Sequence, residues 1–208
     1  VTRQAAGTTK RTLGDVVLFG VTSAELAVLV FLTPGFTPAD WIYVLQHLLV
    51  LGISLTRRPP EVQDRSLPAS AAVVVAYTYP YAQVLYLKWV PGDSVWPAGG
   101  LVLVILAAGL SLASLLTLGR WFGVRPAVRG LARSGPYRLV RHPMYLAYVL
   151  ADVGYNLQEW NVGSVLLVIA GWGSLLYRIR AEERLLSGHP AWPGYAAQVR
   201  HRLLPGLW

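Results

Sequence analysis

The sequence predicts an all-α integral membrane protein: about six transmembrane helices with a small cytoplasmic cap of C-terminal helices. Three observations carry that expectation. Only 13% of the 208 residues are charged and 54% are hydrophobic, with a mean hydropathy of +0.46, whereas soluble domains carry about 25% charge. The apolar residues fall into six blocks, several near the roughly 20 residues a helix needs to cross the hydrocarbon. The cations are also sorted: of the 18 Lys and Arg, all but Lys88 lie in segments that share one side if every block crosses.

The blocks run about 13–32, 41–55, 68–90, 97–118, 143–157 and 160–178. Pro34, Gly35 and Pro38 break the chain after the first, and Pro91, Gly92 and Asp93 after the third. The second and fifth blocks are short for a straight crossing, so each borrows flanking residues or forms part of a hairpin that does not fully span. The first is long enough to be a true span rather than a cleavable signal, and no expression tag is evident. Residues 1–118 read as a four-span region, and 119–208 as an arginine-rich loop, a helical hairpin and a cap. In the tail, "LLYRIRAEERLL" reads as a helix, "SGHPAWPG" as a break, and "YAAQVRHRLL" as a second short helix stopped by Pro205.

The positive-inside rule places the basic segments, and so both termini, in the cytoplasm of a bacterial-type inner membrane or of the endoplasmic reticulum. A five-crossing arrangement would strand the basic tail outside. The same sorting argues against nucleic acid as the reason for the net charge of +8. With no cysteine, disulfides, thiolate nucleophiles and Cys-ligated metals are excluded. The four histidines show no metal-ligand spacing with carboxylates, so no metal is expected. Walker, G-x-S-x-G and G-x-G-x-x-G motifs are absent.

The densest chemistry lies in "RSGPYRLVRHPMY". Gly135-Pro136 signals a turn, and Pro143 suits a helix's first turn, so the fifth helix should start near His142. Free N–H groups there, beside Arg138 and Arg141, would suit a carboxylate or phosphate; lipid-headgroup anchoring is the plainer alternative. Glu182 and Glu183 either form i,i+4 ion pairs on a solvated face or turn one carboxylate toward a ligand. Trp192, Tyr195, Arg200 and Arg202 suit either a lid or an interfacial helix. Within the bilayer stand Glu25, His47 and Asp152. Glu25 could be satisfied by Ser23 or by another helix, and His47 reads best as a hydrogen-bonded packing residue.

"GPYRLVRHPMY" (135–145), a helical hairpin, "RAEERLL" (180–186) and "GYAAQVRHRLLP" (194–205) together resemble the isoprenylcysteine carboxyl methyltransferase and phospholipid methyltransferase superfamily. The resemblance covers the last 80 or so residues. It implies an integral membrane, S-adenosylmethionine-dependent methyltransferase whose cofactor faces the cytoplasm under the C-terminal helices. The acceptor it implies is a lipid, isoprenoid-like or other small amphiphile entering from the bilayer. Position by position, Arg141, His142, Pro143 and Tyr145 would line the cofactor pocket, with Gly135, Pro136 and Tyr137 at its entrance. Glu182 and Glu183 would be the paired glutamates, acting in catalysis with Arg141, while Tyr195, Arg202 and Pro205 would belong to the closing segment. Ala147 replaces a glycine common in the family, and Gln198 replaces a second tail tyrosine.

Transfer from a sulfonium needs alignment and exclusion of water rather than a protein nucleophile, which fits the residues present. Two other readings remain. A membrane NADPH-dependent sterol or enone reductase shares a similar R-H-P-x-Y segment but would need more converging arginines. A non-catalytic membrane binding protein would keep the fold without the chemistry.

Overall fold

The computed structural model describes residues 2–3, 13–32, 38–204 and 206. The break at Pro34 and Gly35 and the stop at Pro205 lie outside the described residues.

Among the described residues, six α-helices form where the apolar blocks lie and a seventh in the tail: α1 (Leu13–Leu32), α2 (Pro38–Thr56), α3 (Leu67–Trp89), α4 (Pro97–Leu118), α5 (Pro143–Gln158), α6 (Val162–Leu186) and, in the tail, α7 (Trp192–Gln198). Their starts have local causes. Ser66 caps α3 by accepting from Ala69 N, and Asn161 and Ser164 form a reciprocal capping box on α6. Proline occupies the first turn of α3, α4, α5 and α7, where its missing N–H goes unmissed. Among the described residues, Pro97–Trp121 and Val162–Leu186 are long and apolar enough to cross a membrane by length and composition. The apolar part of α6 ends at Tyr177; its last two turns, from Arg178, carry the charges.

The expectation of helices alone needs one correction. Three two-residue strands, β1 (Thr2–Arg3), β2 (Val62–Gln63) and β3 (Ala127–Val128), form an antiparallel sheet in that order. The sheet joins the α2–α3 loop to the arginine-rich loop, and Arg58 N donating to Arg120 O (2.9 Å) extends the link. Strands this short leave no periodicity to read.

Helix α4 packs most extensively on α5, and α3 on α6. The first pair closes through glycine: a Cβ on Gly154 would meet Gly100 O at 2.7 Å, the close backbone approach that small residues give membrane helices. Asp152, buried on α5, accepts from Tyr79 Oη of α3 (3.0 Å) and Trp172 Nε1 of α6 (2.7 Å), so three helices share one carboxylate. Glu25 is met by His47 at 3.7 Å, and His47 lies 3.2 Å from Tyr81 Oη. Ser23 donates to Phe19 O rather than to Glu25.

The α3–α4 and α5–α6 turns sit at one end, tied by paired backbone bonds between Asp93 and Trp160 (2.9 Å each). The arginine-rich loop and the tail occupy the other end. With 16 residues α5 is about 24 Å long, so it carries the hairpin between these two ends without reaching the full 30 Å of a hydrocarbon core.

Candidate functional site

Between the arginine-rich loop and the tail lies a cleft of about 900 Å³ counting its open mouth, whose lining includes Trp121, Arg129, Tyr137, Arg141, His142, Tyr145, Arg178, Glu182, Trp192 and Tyr195. Each wall has a local origin. Gly135, at φ 53°, allows the tight 3-10 turn Gly135–Arg138 that leads the chain back to α5. His142 is the N-cap and buried Pro143 the first residue of α5, as the sequence suggests. Pro143 itself is buried in that first turn and does not line the cleft, contrary to the expectation from the resemblance.

The tail differs from its expected form. Helix α7 stops at Gln198, and Val199–Leu204 leave the helix. There the carbonyls of His201 and Arg202 accept from the backbone N–H of Arg141 and His142 (2.9 Å each). Two of the N–H groups at the start of α5, those of Arg141 and His142, are thus occupied by the chain's own tail rather than left for an anion. Two backbone bonds to a preformed helix start outweigh the helical periodicity of "YAAQVRHRLL".

Side chains complete the clasp. Glu183 Oε2 accepts from Arg202 Nε at 2.8 Å, and Glu183 Oε1 lies 3.2 Å from His142 Nε2 and 3.3 Å from Arg141 Nε. Burial alone would raise the Glu183 carboxyl, but hydrogen bonds from His142 and Arg202 and the nearby positive charge hold it below its ordinary value. Arg141 also stacks over Trp192 (5.7 Å to the ring centre) and donates to Arg200 O. Tyr195 Oη donates to Tyr137 O at 2.8 Å; burial pushes its phenol up to about 12, so it stays a neutral donor.

The paired glutamates therefore diverge. Glu183 is saturated by three basic partners under the tail. Glu182 lines the cleft, accepts from Tyr145 Oη, and faces His142 Nδ1 at 3.8 Å. Neither lies on a solvated face as an i,i+4 pair. Tyr145 lies against His142 (ring centres 5.7 Å apart, planes 26° from parallel). The structure thus brings Tyr137, Arg141, His142, Tyr145, Glu182 and Tyr195 to one cleft, with Glu183 and Arg202 as its fastening; Arg138 is exposed outside it.

Sequence reading missed Arg178, Arg129, Tyr148 and Tyr77, which all line the same space. Two had a signal. Arg178 stands four residues before Glu182 and Tyr148 three after Tyr145, so each shares a helix face with a residue already singled out. Arg129 reaches the cleft from a loop, donating to Arg58 O at 3.2 Å, and nothing periodic announces it.

Residues 100–188, from α4 to the end of α6, match the model of the isoprenylcysteine carboxyl methyltransferase (ICMT) family. This stretch, under half of the chain, is similar to that family. Among curated proteins, the cobalt-zinc-cadmium resistance protein CzcN of Cupriavidus metallidurans is 32% identical over 132 residues, 61% of this chain and 57% of that protein. Protein-S-isoprenylcysteine O-methyltransferase A of Arabidopsis thaliana is 31% identical over 94 residues, 42% of this chain and 48% of its own length. The nickel-cobalt-cadmium resistance protein NccN of Alcaligenes xylosoxydans xylosoxydans is 27% identical over 123 residues, 56% of this chain and 57% of that protein. The matched segment spans about half the length of each relative. The match covers the cleft residues from Leu118 to Leu186 and, of the clasp, Arg141, His142 and Glu183; Trp192, Tyr195 and Arg202 lie beyond it.

Proposed function

We propose that the chain is a six-span membrane methyltransferase that uses S-adenosylmethionine to methylate a small amphiphile at its cytoplasmic face. The observation that carries this reading is the clasp of His142, Arg141 and Arg202 on Glu183. It fastens the tail over a cleft lined by aromatic rings, arginines and the Glu182 carboxylate, most of whose lining lies within the segment matched by a methyltransferase family.

The residues present fit that cofactor. Trp192 and Tyr145 offer faces to an adenine or a sulfonium, and Glu182 offers a carboxylate to a ribose or an amine. Arg141, already turned toward Glu183 and Trp192, would orient the amino-acid end from the tail side. When bound, S-adenosylmethionine supplies a methyl group already made electrophilic by its sulfonium. The chain's own task is positioning: the tail excludes water, the 3-10 turn and α5 fix one wall, and α6 fixes the other. His142 stands between Glu182 and Glu183, so it couples closure of the tail to the carboxylate that faces the ligand.

The reading is tested by supplying S-adenosylmethionine labelled in its methyl group to membranes carrying the protein. Label should enter lipid-extractable material with the wild type and fall at least about tenfold with Glu182→Gln, the loss of one charge-assisted contact. Equal label with wild type and with membranes lacking the protein would sink it.

A further inference from the structure

One arginine of the "GPYRLVRHPMY" motif takes no part in the cleft. Arg138 ends the 3-10 turn Gly135–Arg138 and is exposed, and Leu139 beside it is 71% exposed. From Gly119 to Arg141 every other large apolar side chain is at least partly buried, so the loop singles out this leucine. Arg133, on the way into the turn, is exposed as well. Among the described residues neither its guanidinium nor that of Arg138 makes a hydrogen bond or an ion pair. By contrast Tyr137 is buried, lines the cleft, and its carbonyl accepts from Tyr195 Oη. The turn thus has one part built into the cleft and another, Arg138 and Leu139, left outside it.

The place of the turn decides what that outer part meets. The turn packs on the end of α4, where a Cβ on Gly135 would lie 2.7 Å from Thr117 Oγ1. Leu116, next to Thr117, is 61% exposed on a helix long and apolar enough to cross a membrane. Leu139 therefore stands beside the lipid-facing end of α4, at the depth where its apolar run gives way to charge. A leucine there meets acyl chains, and the arginines beside it reach the headgroup layer. Charge complementarity selects the lipid. Two unpaired guanidiniums favour an anionic phospholipid over a zwitterionic one, and their fork geometry suits a pair of phosphate oxygens.

We propose that the Arg138–Leu139 corner is an anchor on the inner leaflet: Leu139 enters the acyl layer while Arg133 and Arg138 hold the phosphate of an anionic phospholipid. The same turn carries Tyr137 and runs on into Arg141 and His142, so the anchor fixes one wall of the cleft at a set depth in the membrane. The proposal takes from the six-span reading that this end of α4 lies at the inner interface. It needs neither a methyl donor nor an acceptor.

The test exploits the absence of cysteine. A bimane fluorophore is attached in turn to Leu139→Cys, to Ser134→Cys in the same loop and to Leu116→Cys on α4, all exposed positions. Each protein is placed in phosphatidylcholine nanodiscs with a small fraction of lipid spin-labelled near the top of its acyl chain. Quenching at Leu139→Cys should come within about twofold of Leu116→Cys and exceed Ser134→Cys at least about threefold, as insertion of about 5–10 Å requires. With the spin label on phosphatidylglycerol instead of phosphatidylcholine, Leu139→Cys should be quenched at least about fivefold more, the enrichment one arginine near the surface gives. Adding Arg133→Gln and Arg138→Gln should bring that ratio below about twofold. Leu139→Cys quenched no more than Ser134→Cys overturns the proposal, as does a ratio near one with both arginines present or a ratio that survives both glutamines. The first two outcomes need no arginine variant, so failure of that variant to fold would not shelter the anchor. Quenching at Leu116→Cys without quenching at Leu139→Cys sinks the anchor alone, whereas no quenching at either sinks the six-span reading with it.

Discussion

Two adjacent glutamates illustrate how neighbours acquire different work. Glu182 and Glu183 are about 100° apart on the helix, which turns one into the cleft and the other beneath the tail. Glu183→Gln should lower stability by about 1.5–3 kcal/mol, the worth of a charge-assisted hydrogen bond, read as a fall in thermal midpoint in detergent. Glu182→Gln should change that midpoint little and weaken ligand binding instead. The sign of the pH effect follows from the depressed Glu183 carboxyl. Its stabilisation is present above the ordinary glutamate value of about 4.3 and is lost as pH falls through it toward the lower folded value. The wild-type midpoint should therefore fall more steeply than that of Glu183→Gln between about pH 6 and pH 3; parallel curves would remove Glu183 from the clasp.

Helices α3 to α6 were legible because their signals are local: proline in the first turn, Ser66 and Asn161 as caps, and apolar runs between breaks. The pairing of α4 with α5 was not, since it depends on Gly100 and Gly154 meeting across the hairpin. Gly154→Val should cost about 1–3 kcal/mol as an overpacked contact against Gly100 O and Val104, seen again in the thermal midpoint. The tail shows the limit most clearly. "VRHRLL" has helical periodicity, yet its carbonyls bind the N–H groups of Arg141 and His142, which lie about 60 residues earlier in the chain. The same distance hid the clasp: the partners of Glu183 come from the start of α5 and from beyond α7, whereas i,i+4 reasoning looks only along α6. Residue types at the site were readable from the motif, and their division of labour was not.

At the scale of the molecule, the proposed orientation separates the Asp93–Trp160 end from the end that carries the arginine-rich loop and tail. The chain has no cysteine, so single-cysteine variants report topology without background. Ser134→Cys and Ser187→Cys, both exposed at the basic end, should react with an impermeant maleimide only from the cytoplasmic side, and Asp93→Cys only from the opposite side. Reaction of Ser134→Cys and Asp93→Cys from one side would break the six-span arrangement. The central claim, however, concerns the cleft, and calorimetric titration of the purified protein with S-adenosylmethionine and, separately, with NADPH tests it most directly. The account predicts saturable S-adenosylmethionine binding, weakened by Glu182→Gln, and no NADPH signal. NADPH binding alone, or neither, would contradict it.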